Sequence, residues 1–277
     1  MSLRILRHPL LYAKKALGRI RRQLVAPPEF RVALIDGIVR YEHRRLPFLN
    51  EGDYRAMLTG TYDIILCDFM RRNLTAGDIA LDVGGNVGYI SAVAASCVGT
   101  SGEVHSFEPL RECFERLDLV RRMNPDFRIA CNQFALGSEE GSLPICFDPV
   151  GSSRNATLVP GYDMPVRYEV PVKRLDAYIR EAIISPERIK LIKIDVEGFE
   201  FAVLKGLEGF LAGSTHRPPI VVEIKPWDVA KIGHDMKQFQ DYMGRFGYKA
   251  YDMVDENICI NLLSMKDMEV VVFRASE

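Results

Sequence analysis

From residue 61 onward the chain alternates short apolar runs of strand character with helical patterns, and this alternation constrains the fold more than any other feature. Candidate strands are Ile79 to Val83, Glu103 to Phe107, Phe127 to Leu136, Ile189 to Ile194, Pro219 to Ile224, Lys249 to Val254 and Glu269 to Arg274. Helical patterns fit between them at about 61–73, 87–98, 110–123, 175–184, 199–211 and 235–246. Near-continuous apolar runs such as LIKI and IVVEI are expected where helices cover both faces of a sheet. The expected fold class is therefore α/β, a sandwich around a mostly parallel sheet of those seven strands. Residues 148–170, rich in Gly, Pro, Ser and Asn, read as a loop or lid.

Ahead of this region, Leu3, Leu6, Leu10, Ala13, Leu17, Ile20 and Leu24 recur at steps of three and four, which is one helix face. Residues 1–25 also carry seven basic residues and no acid, so the opposite face is basic. This pattern predicts a basic amphipathic helix over 9–25 that contacts an anionic membrane surface peripherally, or else packs on the protein or a second subunit. Pro27 and Pro28 end it and divide the chain into an N-terminal segment, 1–27, and one domain, 28–277. That domain opens with a hairpin extension, Phe30 to Ile35 and Ile38 to His43, on a two-residue Asp36-Gly37 turn. The N-terminus lacks the continuous apolar stretch and small-residue cleavage site of a secretory signal. Residues 83–102 are uncharged and long enough to span a membrane, but their Gly, Asn, Ala and Ser content suits a tight loop and a small-residue helix instead.

Charge narrows the partners. The 36 Lys and Arg balance 37 Asp and Glu, and beyond residue 25 the net charge is -8, which argues against nucleic acid as a partner. The six cysteines are scattered with no Cys-x-x-Cys pair, as expected of a chain in a reducing cytoplasm, at most peripheral to the inner face of a membrane.

In open α/β sheets ligands bind at the carboxyl ends of strands, so the strand-ending residues are the ones to question. The first strand runs into Asp82-Val-Gly84-Gly85-Asn86-Val-Gly88, where glycines allow a sharp turn and close backbone approach to a ligand. The second ends in Phe107-Glu108-Pro109, where an acid can accept from both hydroxyls of a ribose. A dinucleotide fingerprint fails, because Asn86 and Tyr89 stand where its second and third glycines belong. S-adenosylmethionine carries an ammonium and a sulfonium and no phosphate, so the Asp82 carboxylate beside the loop favours it. The fourth strand ends in Lys193-Ile-Asp195-Val-Glu197-Gly198-Phe199-Glu200, with Lys193, Asp195 and Glu197 on one side if the strand continues. With the strand order of a methyltransferase sandwich, Asp82, Asp195 and Glu223 converge, with Lys193 and Lys225 as counterions. Glu200 complements the dipole of the following helix. None of the five histidines joins these acids, and no metal site is expected. The Asn- or Asp-Pro-Pro-aromatic signature of base and amide methylation is absent, which points to a hydroxyl acceptor.

Taken in order, Asp82-VGGNVGYIS, Phe107-Glu108-Pro109, Asn132 to Gly137, Leu175-Asp176, Lys193-IDVEGFE, Val203 to Gly206 and Glu223 resemble the FkbM-type family of S-adenosylmethionine-dependent methyltransferases over residues 78–226. The resemblance implies a class I methyltransferase, Rossmann-like sandwich and O-methylation of a small-molecule, glycan or glycolipid hydroxyl. By position it implies that Asp82, Gly84, Gly85, Asn86 and Gly88 line the methionine end of the cofactor, that Glu108 holds the ribose, and that Phe134 and Ala135 lie near the adenine. It also places Asp195 near the transferred methyl. A neutral hydroxyl is a weak nucleophile, so Asp195, at the end of the fourth strand, or Glu197, two residues beyond it, is expected to act as general base. A nucleotide-sugar oxidoreductase or epimerase, and a non-catalytic cofactor binder, are the competing functions.

Overall fold

A computed structural model describes residues 29–147, 156–162 and 164–275. The N-terminal basic segment predicted as a membrane helix, most of the Gly- and Ser-rich part of the predicted lid, and the last two residues lie outside the described residues.

The strands are β1 (Phe30–Ile35), β2 (Val39–Arg44), β3 (Ile79–Val83), β4 (Glu103–Phe107), β5 (Arg128–Asn132), β6 (Ala135–Leu136), β7 (Gly141–Cys146), β8 (Val166–Lys173), β9 (Ile189–Ile194), β10 (Ile220–Ile224), β11 (Tyr248–Asp252) and β12 (Glu269–Ala275). The helices are α1 (Glu51–Leu58), α2 (Ile64–Asn73), α3 (Tyr89–Val98), α4 (Arg111–Met123), α5 (Leu175–Glu181), α6 (Glu200–Lys205), α7 (Glu208–Gly213), α8 (Pro226–Lys231) and α9 (Met236–Arg245).

The seven-stranded sheet has the order β11-β12-β10-β9-β3-β4-β5, and only β12 runs against its neighbours. Alternate side chains of the central strands feed two cores. Ala80, Leu191 and Val221 pack with α3 and the hairpin on one face, while Leu81, Ile192 and Val222 pack with α5, α6 and α9 on the other. This double coverage is why the strands read as unbroken apolar runs. The uncharged stretch that spans 83–102 becomes the loop after β3 and α3, whose Ser91, Ala92, Ala94 and Ala95 are buried. No helix among the described residues is long and apolar enough to cross a membrane.

Several boundaries differ from expectation. The candidate strand 127–136 breaks into β5, in the main sheet, and β6, in a separate sheet of order β6-β8-β7. The break turns Phe134 off the sheet to lie 5.7 Å from the Phe107 ring. Most of β8 lies inside the expected loop; its buried Val170 and Val172 show the period of two that the neighbouring loop residues obscured. The helix expected over 199–211 is two helices, separated where Gly206 passes Gly137; a Cβ at 206 would meet the Gly137 carbonyl oxygen at 2.1 Å. The hairpin connection has three residues rather than two, because Ile35 pairs with Val39; Asp36 and Gly37 take positive φ of 48° and 79°.

Candidate functional site

The loop after β3 is shaped by backbone contacts. The Gly84 and Gly85 amides both donate to the Phe107 carbonyl, at 3.0 and 2.9 Å. Gly84 has φ 84°, and a Cβ there would lie 1.8 Å from the Asp195 carbonyl oxygen, so the loop and the end of β9 approach each other as only glycine permits. The Asn86 amide donates to Glu108 Oε2 at 2.8 Å and the Leu110 amide to Oε1 at 2.8 Å. Glu108 is buried, and burial pushes its carboxyl up to about 7 despite those two amides.

These groups line a cleft of about 930 Å³, open solvent at its mouth included. Of the residues expected at the cofactor, Gly84, Gly85, Asn86, Glu108, Phe134 and Ala135 line it, and so do the two expected catalytic acids, Asp195 and Glu197. Asp82 and Gly88 lie beneath it instead. Asp82 accepts from Ser91 Oγ at 2.5 Å and stands 3.1 Å from Lys193 Nζ, while Gly88 caps α3 against Leu117 and Val120. Their work is to hold the loop on the sheet. Tyr178, Phe107 and Phe134 form an aromatic cluster at the Glu108 end, with ring centroids 4.8 to 6.0 Å apart.

At the other end, β9 stops at Ile194 and the chain turns, so Glu197 does not continue the strand as expected. Glu197 and Gly198 have φ of 54° and 103°, and the first is uncommon for a side chain of that size. Two contacts hold this turn. Glu200 Oε1 accepts from the Val196 and Gly198 amides at 3.0 and 2.9 Å, and Thr157 Oγ1 donates to the Glu197 carbonyl at 2.6 Å. Glu200 thus does more than complement a helix dipole. It is buried, which pushes its carboxyl up to about 7. Thr157 carried no sequence signal, because only folding brings it 40 residues along the chain to Glu197.

The turn places carboxylate oxygens of Asp195, Glu197 and Glu223 within 4.8 Å of one another. Asp195 and Glu223 converge as expected, whereas Asp82 reaches the group only through Lys193, whose Nζ is 3.1 Å from Asp82 and 3.9 Å from Asp195. Lys193 also donates to the carbonyls of Val83 and Gly84, at 3.2 and 2.6 Å. Burial opposes its charge, but Asp82 and Asp195 outweigh that and raise its pKa. Lys225 pairs with Glu197 and lies 3.2 Å from Glu223. Acids and ammonium groups therefore alternate across the ends of β3, β9 and β10. Burial, then the Asp195 charge, lift the Glu197 carboxyl above its ordinary value, with Lys225 opposing.

Met57, Tyr62, Asp63 and Leu66, from α1 and the start of α2, form a further wall of the cleft that was not anticipated. Ala156, Thr157 and Leu158 line it as well.

A buried carboxylate with a backbone amide on each oxygen keeps acceptor capacity for a vicinal diol. An aromatic cluster beside it and a carboxylate-rich end opposite suit a nucleoside bearing a cationic tail. The residues present therefore fit S-adenosylmethionine.

Comparison with known proteins agrees. The Methyltransferase FkbM domain matches residues 82–250, more than half of the chain. The methyltransferase sdnD of Sordaria araneosa is 29% identical over 164 residues, 49% of this chain and 62% of that one. The hexuronic acid methyltransferase AglP of Haloferax volcanii is 28% identical over 186 residues, 65% of this chain and 70% of that one. The crystal structure of an FkbM methyltransferase from Methylobacillus flagellatus superposes with TM-score 0.45 at 15% identity, covering 84% of this chain and 56% of that one. The chain thus spans less than two thirds of sdnD and of the Methylobacillus protein. It belongs to the FkbM family of S-adenosylmethionine-dependent methyltransferases.

Proposed function

We propose that the protein methylates a hydroxyl of a saccharide, glycolipid or related natural product, with Glu197 as general base. The observation that carries this reading is the Asp195–Glu197 pair on the same cleft as Glu108 and the glycine loop. When bound, S-adenosylmethionine supplies an electrophilic sulfonium methyl. Glu108 accepts from its ribose, and the glycine loop and Phe134 line the space it occupies. A neutral hydroxyl attacks poorly unless its proton leaves as the new C–O bond forms. Glu197 suits that role, since burial and then the Asp195 charge raise its proton affinity toward the working range. Asp195, with a side chain 39% exposed, faces the cleft and orients the hydroxyl. Lys225 holds Glu197 in place and supplies positive charge to the cluster.

The hydroxyl class is supported by the missing Pro-Pro-aromatic signature, and a sugar by the AglP likeness. A cytoplasmic setting is supported by six scattered cysteines with no Cys-x-x-Cys pair among them. The test is transfer of labelled methyl groups to fractionated cell extract, followed by hydrolysis of the product. Label stable to alkali and found in a sugar or lipid fraction supports an ether product; label on nitrogen or in an alkali-labile ester overturns the hydroxyl reading. Turnover should be unchanged by chelators.

A further inference from the structure

Of the nine large apolar side chains that stay exposed among the described residues, four fall within nine consecutive positions of the hairpin: Phe30, Val32, Leu34 and Ile38. They are 46 to 55% exposed. Phe30, Val32 and Leu34 alternate along β1 and so share its outer face. The inner face is anchored, since Ile35, Val39, Tyr41 and His43 are buried and Tyr41 donates to the Val87 carbonyl at 3.1 Å. The exposed row is thus held rigidly on the glycine-loop side of the fold.

Its neighbours are charged in a defined way. Across the hairpin, Phe30, Val32 and Leu34 pair with Arg44, Glu42 and Arg40. Glu42 is neutralised by Arg44 at 2.7 Å and Arg116 at 2.9 Å, and the Arg44 guanidinium sits 5.1 Å from the Phe30 ring centroid. The face therefore shows an apolar row beside an arginine row. Four residues earlier in the chain, beyond Ala26 to Glu29, positions 1–25 carry seven basic residues and no acid, with apolar residues at helical spacing.

We propose that this hairpin face docks on an anionic lipid bilayer. Apolar side chains flanked by arginines match the acyl boundary and the phosphate layer of a bilayer surface, where Arg stems pack on apolar groups while their heads reach phosphate. A second copy of the chain fits less well, since a two-fold contact through this face brings the rows of Arg40 and Arg44 together. The inference is independent of the methyl-transfer chemistry.

The test is flotation of the full chain with vesicles of phosphatidylcholine and phosphatidylglycerol, and of phosphatidylcholine alone, at low salt. The triple variant Phe30→Ser, Val32→Ser, Leu34→Ser changes only exposed side chains, so its thermal melt should match the parent. Binding to the anionic vesicles alone is expected, weakened about tenfold or more in the variant and falling with added salt. Equal partition of parent and variant, indifference of the parent to anionic vesicles, or equal binding to neutral ones each overturns the proposal. So does a parent dimer that the variant converts to monomer, which would assign the face to a second copy.

Discussion

The two ends of the cleft are built by different means. The Glu108 end is made of backbone: glycine-loop amides on the Phe107 carbonyl, and two more amides on a buried carboxylate. It draws on two strand ends that are neighbours in the sheet. The Asp195 end is made of side chains from distant segments, with Glu197 in a left-handed conformation, Glu223 in β10, Lys225 just beyond it, and Thr157 bridged to Cys146 at the end of β7. A further part of the cleft wall, made by Met57, Tyr62, Asp63 and Leu66, precedes the family-matched span, which starts at residue 82. Backbone contacts suit an invariant ligand, because they do not depend on side-chain choice. Side chains drawn from separate segments suit recognition of a particular acceptor. Cofactor binding and chemistry should therefore be separable by mutation.

The largest expected effect tests the junction where the two ends touch. Gly84→Val places a Cβ against the Asp195 carbonyl and strains a residue at φ 84°, so cofactor binding by calorimetry should be lost and the melting temperature should fall. Native affinity in this variant would mean the two ends do not share a wall.

Next is Glu197→Gln, which keeps size but removes the proton acceptor. Turnover at saturating cofactor should drop about a hundred- to ten-thousandfold, with cofactor affinity unchanged. In the native protein turnover should rise with pH through an apparent pKa above the ordinary carboxylate value, since Glu197 must be ionised to accept a proton. Near-native turnover would transfer the role to Asp195 or remove it from both.

Glu108→Gln should show the opposite split, with cofactor affinity weakened about ten- to a hundredfold and turnover at saturation nearly retained. Equal losses in both quantities would break the proposed separation of the two ends.

The smallest effect concerns the turn itself. Burial raises Glu200 from 4.5 to about 7 in the folded protein, so its contribution to stability is present below the unfolded value and is lost as pH rises through about 7. That contribution is on the order of 3 kcal/mol. Glu200→Gln still offers an acceptor to the Val196 and Gly198 amides and has no charge to desolvate. Its melting temperature, compared with the parent, should gain several degrees at pH 8 and little at pH 5. A constant difference across that range would show that Glu200 does not titrate between them.

Much of the cofactor end was readable because it follows local rules. A loop with Gly84, Gly85 and Gly88 after an apolar strand, and an acid ending the next strand, are contiguous patterns whose geometry is set within a few residues. Even there, position in the loop motif implies a ligand-facing Asp82, whereas the side chain is buried against Ser91 and Lys193. At the Asp195 end the residues were visible but their arrangement was not. A period of two was extended through Glu197, whereas a turn follows Ile194, stabilised by a Glu200 carboxylate whose amide contacts leave no mark on hydrophobic pattern.

By itself the sequence determined the alternation of elements, the sheet's apolar strands, the loop and the family to which the chain belongs, because each depends on periodicity or on neighbouring residues. Tertiary structure alone decided which acids meet, that Lys225 and Lys193 stand between them, and that Thr157 and the α1–α2 wall reach the cleft. Apart from those within the Lys193–Glu197 stretch, these contacts join residues tens to more than a hundred positions apart. Their energies depend on burial and on neighbouring charges, and neither quantity exists until the chain has folded.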